Sequence, residues 1–184
     1  MTFNSDYSLM FNLRLRKGAP MLRKSLLAGL VLAAMSSLTG AQDVPRNLWP
    51  PTGSTPAGSF AGQGVQVYVC SVVGSAMQWT WRAPAATLVD QRGMVFAEYS
   101  FGPTFAARDS SRIVGTVIAT APAPRPGAIG WYAATVTSSS GRGLLVGVRT
   151  VQQLNTIGGL LSGPCAPLGA ERRVPYSADY LFWR

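Results

Sequence analysis

The 184-residue sequence has no histidine, two lysines, two cysteines and only seven acids against sixteen basic residues. Without histidine there can be no Ser-His-Asp or Cys-His triad, no imidazole zinc ligand and no side chain whose ordinary pKa makes it a base near neutral pH. The two cysteines, Cys70 and Cys165, lie far apart with no C-x-x-C spacing, which removes clustered thiolate metal sites and dithiol redox motifs. Asp109-Ser110-Ser111 lacks the acid density of a calcium loop, so neither a metal nor a cofactor is expected. A phosphate loop is missing too, because Gly62-Gln63-Gly64 precedes a strand-like run and no Gly-Lys-Ser/Thr occurs. A large group of hydrolases and metalloenzymes is thereby excluded.

What is present begins with charge. The formal charge is +9, yet Arg14, Arg16, Lys17, Arg23 and Lys24 all fall in the first 24 residues. From Met21 a short basic segment leads into the apolar run Ser25 to Leu38 and then Thr39-Gly40-Ala41, the layout of a secretory signal peptide. Residues 21–41 are therefore predicted to be a signal peptide and residues 1–20 a mis-assigned extension, with translation starting at Met21. A membrane anchor would need about 20 apolar residues, and this run stops at Ser36, Ser37 and Thr39. No transmembrane helix is expected in the mature chain, which is predicted to be exported, periplasmic or extracellular. Residues 42–184 keep eleven arginines, no lysine and six acids, a net +5. Those arginines stand singly apart from Arg172-Arg173, without a basic stripe, so nucleic acid is not expected as a partner. Arginine could still engage anionic envelope polymers through bidentate contacts, although a genome preference for arginine over lysine is the better explanation of the count.

In an oxidising compartment, an even pair of cysteines predicts one structural disulfide, Cys70 with Cys165. Closing so long a loop is worth up to about 4.7 kcal/mol in the chain-entropy picture.

Residues 42–63 are rich in proline and glycine and read as an extended lead-in, with structure beginning near Val65 and a β domain over residues 64–184. Alternation marks Val65 to Cys70, and Met77, Trp79 and Trp81 share one face of a half-buried strand. Further strands are predicted at Met94–Tyr99, Arg112–Thr120, Ala128–Thr137, Leu144–Val151 and Val174–Trp183, with a loop over residues 152–159. No helical stripe of useful length is visible. The expected fold is all-β, a single-domain antiparallel β-sandwich or small β-barrel of about seven or eight short strands.

Two features could carry chemistry. Glu98 and Asp109 flank the loop from Tyr99 to Arg108 and are the best candidates for a pair of hydrolytic carboxylates, which would have to lie about 5–9.5 Å apart. Asp109 beside two serines is more readily a turn residue, and Asp90 has the same explanation. The second feature is the loop itself, where Tyr99, Gly102, Pro103, Thr104, Phe105 and Asp109 are candidate ligand-binding residues. Five tryptophans, Trp49, Trp79, Trp81, Trp131 and Trp183, could add a stacking platform if exposed in a groove. The aromatic C-terminus, Tyr176 to Arg184, raises an outer-membrane barrel as an alternative, but the strands are mostly shorter than a spanning strand requires.

The order of short motifs resembles the exported family known as domain of unknown function 3455, found in bacteria and fungi. The matching pieces include Gly64 to Cys70, Trp79 to Pro84, Gly102-Pro103-Thr104-Phe105, Asp109 with Ser111, Asn155 to Gly159 and Val174 to Tyr180. They run from Gly64 to the C-terminus. The family's central loop carries a His three residues before the Gly-Pro and a Trp-Glu after the Thr. Here Tyr99, Phe105 and Ala106 hold those places, so catalysis by such a loop is not implied for this chain. The expected function is that of a non-catalytic exported β-module binding a ligand or cell-envelope component. The alternatives are a carboxylate hydrolase using Glu98 and Asp109 and a small outer-membrane barrel.

Overall fold

Runs of Val, Ile, Thr and aromatic residues between Gly- and Pro-containing turns form eight antiparallel strands whose spatial order is their chain order. In the computed structural model, which describes residues 43–184, these are β1 (Pro56–Val73), β2 (Ala76–Val89), β3 (Val95–Ser100), β4 (Thr104–Ala107), β5 (Arg112–Ala121), β6 (Trp131–Ser140), β7 (Thr150–Gly158) and β8 (Glu171–Trp183). The upstream extension and signal peptide expected over residues 1–41 lie outside the described residues. Each strand pairs with the next and β8 pairs with β1, from Pro56 opposite Trp183 to Val69 opposite Glu171, so the sheet closes and leaves no edge. Of the two expected all-β architectures, the molecule is the barrel.

Eight strands enclose a space that side chains can fill. Phe60, Leu88, Phe105, Ile113, Tyr180 and Phe182 fill it, with Phe105 and Phe182 packed edge to face at 5.2 Å. Room for those rings comes from glycine on the neighbouring strand. A Cβ on Gly62 would lie 2.3 Å from the Tyr180 ring, and one on Gly64 would lie 2.1 Å from the Ala85 carbonyl oxygen. The glycines that read as lead-in are therefore close-approach positions inside a strand. Ordered strand begins at Pro56 instead of near Val65.

Ahead of β1, a 3-10 turn at Arg46–Leu48 lies on the outside of the barrel. Leu48 packs there with Trp131, Ala133 and Leu154, and its carbonyl accepts a hydrogen bond from the buried Gln152 side chain. Covered on both faces, the beginning of β6 and most of β7 lose the alternation of a half-exposed strand. That is why the strand predicted at residues 144–151 and the loop predicted at 152–159 are displaced from what forms: β7 occupies Thr150–Gly158. Leu145 and Val148, apolar and fully buried, belong to the connection that plugs one end of the barrel.

At the other end, β1 and β2 continue past the barrel as a two-stranded arm from Tyr68 and Trp81 to the turn at residues 74–75. The alternation of Met77, Trp79 and Trp81 does form a strand, but Met77 and Trp81 are exposed because no second layer covers the arm. The connection of residues 159–170 lies against this arm. Gln78 bridges Pro164, the Trp79 amide donates to the Gly163 carbonyl, and Cys70 joins Cys165 in the expected disulfide. Residues Gly40–Arg184 form one compact unit. Among the described residues, both apolar clusters and the disulfide draw on residues 44–184, which gives this unit a core of its own, as independent folding requires.

Candidate functional site

Because successive strands run in opposite directions, the β1–β2, β3–β4, β5–β6 and β7–β8 connections gather at one end of the barrel, which we call the mouth. The plugged end gathers the others. A cavity of about 300 Å³ opens at the mouth between Gln66, Trp81, Pro103, Val117, Ile129 and Leu160, with Tyr68, Tyr99, Tyr132 and Gln153 also lining it. Among the described residues, no charged side chain lines this cavity.

Hydrogen bonds fix its polar groups. The Trp81 indole Nε1 donates to Gln66 Oε1 at 2.6 Å, and the Tyr68 hydroxyl donates to the Gly159 carbonyl at 2.8 Å. The Tyr132 hydroxyl donates to the Tyr99 hydroxyl at 3.1 Å, which leaves the Tyr99 proton without an acceptor among the described residues. Gln153 links this wall to the core. Its Nε2 donates to the Gly130 carbonyl, while its Oε1 accepts from Tyr180 at 2.9 Å, and Tyr180 in turn shares a 2.8 Å bond with Tyr176.

Burial sets the electrostatics here. Loss of water pushes the Tyr99 phenol up to about 12, against the opposing effect of its bond with Tyr132. Burial, and then the neighbouring phenols, hold Tyr132 and Tyr180 well above the ordinary tyrosine value, and burial raises Tyr176 and Tyr68 as well. All five hydroxyls are neutral at physiological pH. The wall therefore offers neutral donors and acceptors in an apolar frame, suited to holding an uncharged molecule and poorly suited to proton abstraction near neutral pH.

The expected loop from Tyr99 to Arg108 is mostly the β3–β4 hairpin, and it divides the candidate residues. Tyr99, Gly102 and Pro103 line the mouth cavity. Thr104 borders a different hollow on the outer face. Phe105 is fully buried, stacked on Tyr99 with ring centroids 4.8 Å apart, so both positions where the family resemblance leads one to expect His and Trp contribute to packing. Asp109 lies at the plugged end. Its carboxylate accepts from the Ser111 amide, the Ser111 hydroxyl and the Leu144 amide. Partial burial works to raise its pKa, but these bonds outweigh it and hold the carboxyl below its ordinary value. Asp90 similarly caps a turn through the Met94 and Arg92 amides.

The outer hollow, about 570 Å³, is lined by Glu98 together with Gln63, Ser100, Thr104, Arg112 and Arg173. Among the described residues Glu98 is the single acid there, and Asp109 is not part of it. The two carboxylates singled out from the sequence are thus not brought into one pocket.

Trp81 lines the mouth and is half exposed, its ring 5.9 Å from the exposed Phe101 ring. Trp131 and Trp183 are engaged elsewhere, Trp131 in the outer cluster and Trp183 through its bond to Gln152. The mouth residues that sequence reasoning missed are Gln66, Tyr68, Tyr132 and Gln153. A signal existed for Gln66 and Gln153, uncharged polar residues within apolar runs.

The family described as "Protein of unknown function (DUF3455)" matches residues 51–184, and the chain belongs to it. The match begins ahead of β1, upstream of the motifs that carried the resemblance. No curated protein and no solved structure matches the chain.

Proposed function

We propose that this member of the family is an exported, non-catalytic binding module that takes a small uncharged ligand with a flat apolar part into the barrel mouth. The observation that carries this reading is the 300 Å³ cavity: apolar walls, no charged lining residue, and a few hydrogen-bonding groups held in place. Trp81 and Phe101 form an aromatic rim on which a planar group can stack, and the Tyr99 hydroxyl, without an acceptor among the described residues, is available to donate to a carbonyl, ether or hydroxyl oxygen.

Two observations weigh against the alternatives. For a carboxylate hydrolase, Asp109 is committed to three bonds in its turn, away from the hollow that Glu98 borders. For an outer-membrane barrel, Glu98, Arg112 and Arg173 border a hollow on the outer face, where lipid would have to lie.

The test is a panel of uncharged aromatic and alicyclic compounds, each paired with a charged analogue, followed by calorimetry. Uncharged members should bind, their charged analogues should not, and Trp81→Ala should weaken binding. Failure of every uncharged compound, or binding that survives filling the cavity with Val117→Trp, rejects the reading.

A further inference from the structure

We propose that the mouth end of the barrel docks onto an anionic lipid bilayer, through the tip of the arm, the turns beside it and a basic collar, of which the arm tip and the collar do not line the cavity. The charge distribution of the turns points there. At the plugged end every turn is charged, with Asp90 and Arg92 between β2 and β3, Arg108 and Asp109 between β4 and β5, and Arg142 and Arg149 between β6 and β7. At the mouth, the arm from Val69 to Trp81, the β3–β4 turn and residues 159–170 hold no charged residue, and the β5–β6 connection holds one, Arg125.

In place of charge these tips expose apolar side chains. Val72 is 60% exposed, Val73 47% and Met77 40% at the end of the arm, Phe101 62% in the β3–β4 turn and Leu168 61% in the segment stapled to the arm. Surface turns of a water-soluble domain have no reason to lose their charges and gain valine, methionine, phenylalanine and leucine together, unless that end meets an apolar phase. The side chains stand on three separate projections around an open cavity. A fluid bilayer accepts separated tips, whereas a protein partner would need a matching relief.

The next level down is basic. Tyr68 is opposite Trp81 on one side and Arg172 on the other, four residues from Val72, or about 13 Å along the strand. Arg82 and Arg173 flank that level, and Glu171 lies between them at 3.3 Å and 3.8 Å, so three arginines against one acid leave a net positive collar. Arg172 also stacks over Trp79 at 5.5 Å. Interfacial segments bury their apolar side about 5–10 Å into the headgroup and acyl boundary, which would bring this collar to the lipid phosphates with Trp79, two residues nearer the tip, at the depth indoles favour.

The test is co-sedimentation of the barrel unit, residues 40–184, with vesicles of phosphatidylcholine alone and of phosphatidylcholine mixed with phosphatidylglycerol. Binding to the mixed vesicles should be at least about tenfold tighter than to the neutral ones and should weaken with salt. The combined variant V72S, V73S, M77S should lose it while keeping the wild-type melting temperature and the same binding of any cavity ligand, since none of the three lines the cavity. R172Q with R173Q should weaken it about tenfold and flatten the salt dependence. No binding to either vesicle overturns the proposal. So does binding that survives the tip variant, or a dimer that forms without vesicles and vanishes in that variant, which would make this end a contact between copies.

Discussion

Raising the pH should unfold the barrel cooperatively above about pH 10, because its tyrosines can ionise only by leaving it. The described residues contain five tyrosines, at positions 68, 99, 132, 176 and 180, and burial raises the pKa of every one. For Tyr99 the ordinary value of 10.0 becomes about 12 in the fold. Below pH 10 both states keep the proton, and the tyrosine imposes no penalty on folding. Between 10 and 12 the unfolded chain releases the proton while the native one retains it, at about 1.4 kcal/mol per pH unit, or roughly 3 kcal/mol in all. Tyr132, Tyr176 and Tyr180 are shifted in the same sense. Each of them adds to the loss, and because domain stabilities are only about 5–15 kcal/mol, the four acting in one direction should unfold the barrel before Tyr99 reaches its own midpoint. The assay is phenolate absorbance recorded beside far-ultraviolet circular dichroism on the barrel unit during an alkaline titration. Absorbance and dichroism should change together in one step. A smooth ionisation centred near pH 10 with the dichroism intact would refute the reasoning, since the phenols would then be open to water in the native state.

Tyr180→Phe should cost about 1–3 kcal/mol by leaving Gln153 Oε1 without a donor, and Gln153→Leu a similar amount, whereas the double variant should cost clearly less than their sum. Additivity within about 0.5 kcal/mol in urea unfolding would show that the two groups are not coupled. Replacing Cys70 and Cys165 together by serine, across a separation of 95 residues, should cost up to about 4–5 kcal/mol, and equal melting temperatures with and without reductant would contradict this. Asp109→Ala should destabilise the plugged end by about 1–3 kcal/mol through its lost bonds to Ser111 and Leu144. Because the folded carboxyl is held below its ordinary 3.8, its contribution is complete above about pH 4 and disappears as the pH falls further, so the variant and the wild type should converge in acid melts.

Strands exposed on one face were legible from alternation, and the disulfide from the count and compartment of the cysteines. Where both faces are covered, period two vanishes. Trp131 and Ala133 face Leu48 outside while Tyr132 and Ala134 face the core, so the start of β6 offered no alternation to read. Glycine misled in the opposite direction: Gly62 and Gly64 read as part of an extended lead-in, although they are small because Tyr180 and Ala85 leave no space. The candidate site was legible in part. The Tyr99 to Pro103 turn was recognisable by its aromatic and Gly-Pro content, but Gln66, Tyr132 and Gln153 come from three other strands, and only closure brings them together. Glu98 and Asp109, eleven positions apart in sequence, suggested proximity, yet a short hairpin strand sends one to the outer face and the other to the plugged end.

The seam between β1 and β8 imposes an order on how this chain can mature. It joins residues from Val69 with Glu171 out to Pro56 with Trp183, so the earliest strand waits for the last. A nascent or truncated chain ending before Glu171 retains β1 through β7 as an open sheet with two bare edges, one of them the longest strand in the molecule. Such contacts carry the largest loop-closure entropy and are made slowly. The vulnerable interval, during which the chain is prone to edge-to-edge association, therefore lasts until β8 has been made, and the loss of the thirteen residues of β8 would make that interval permanent.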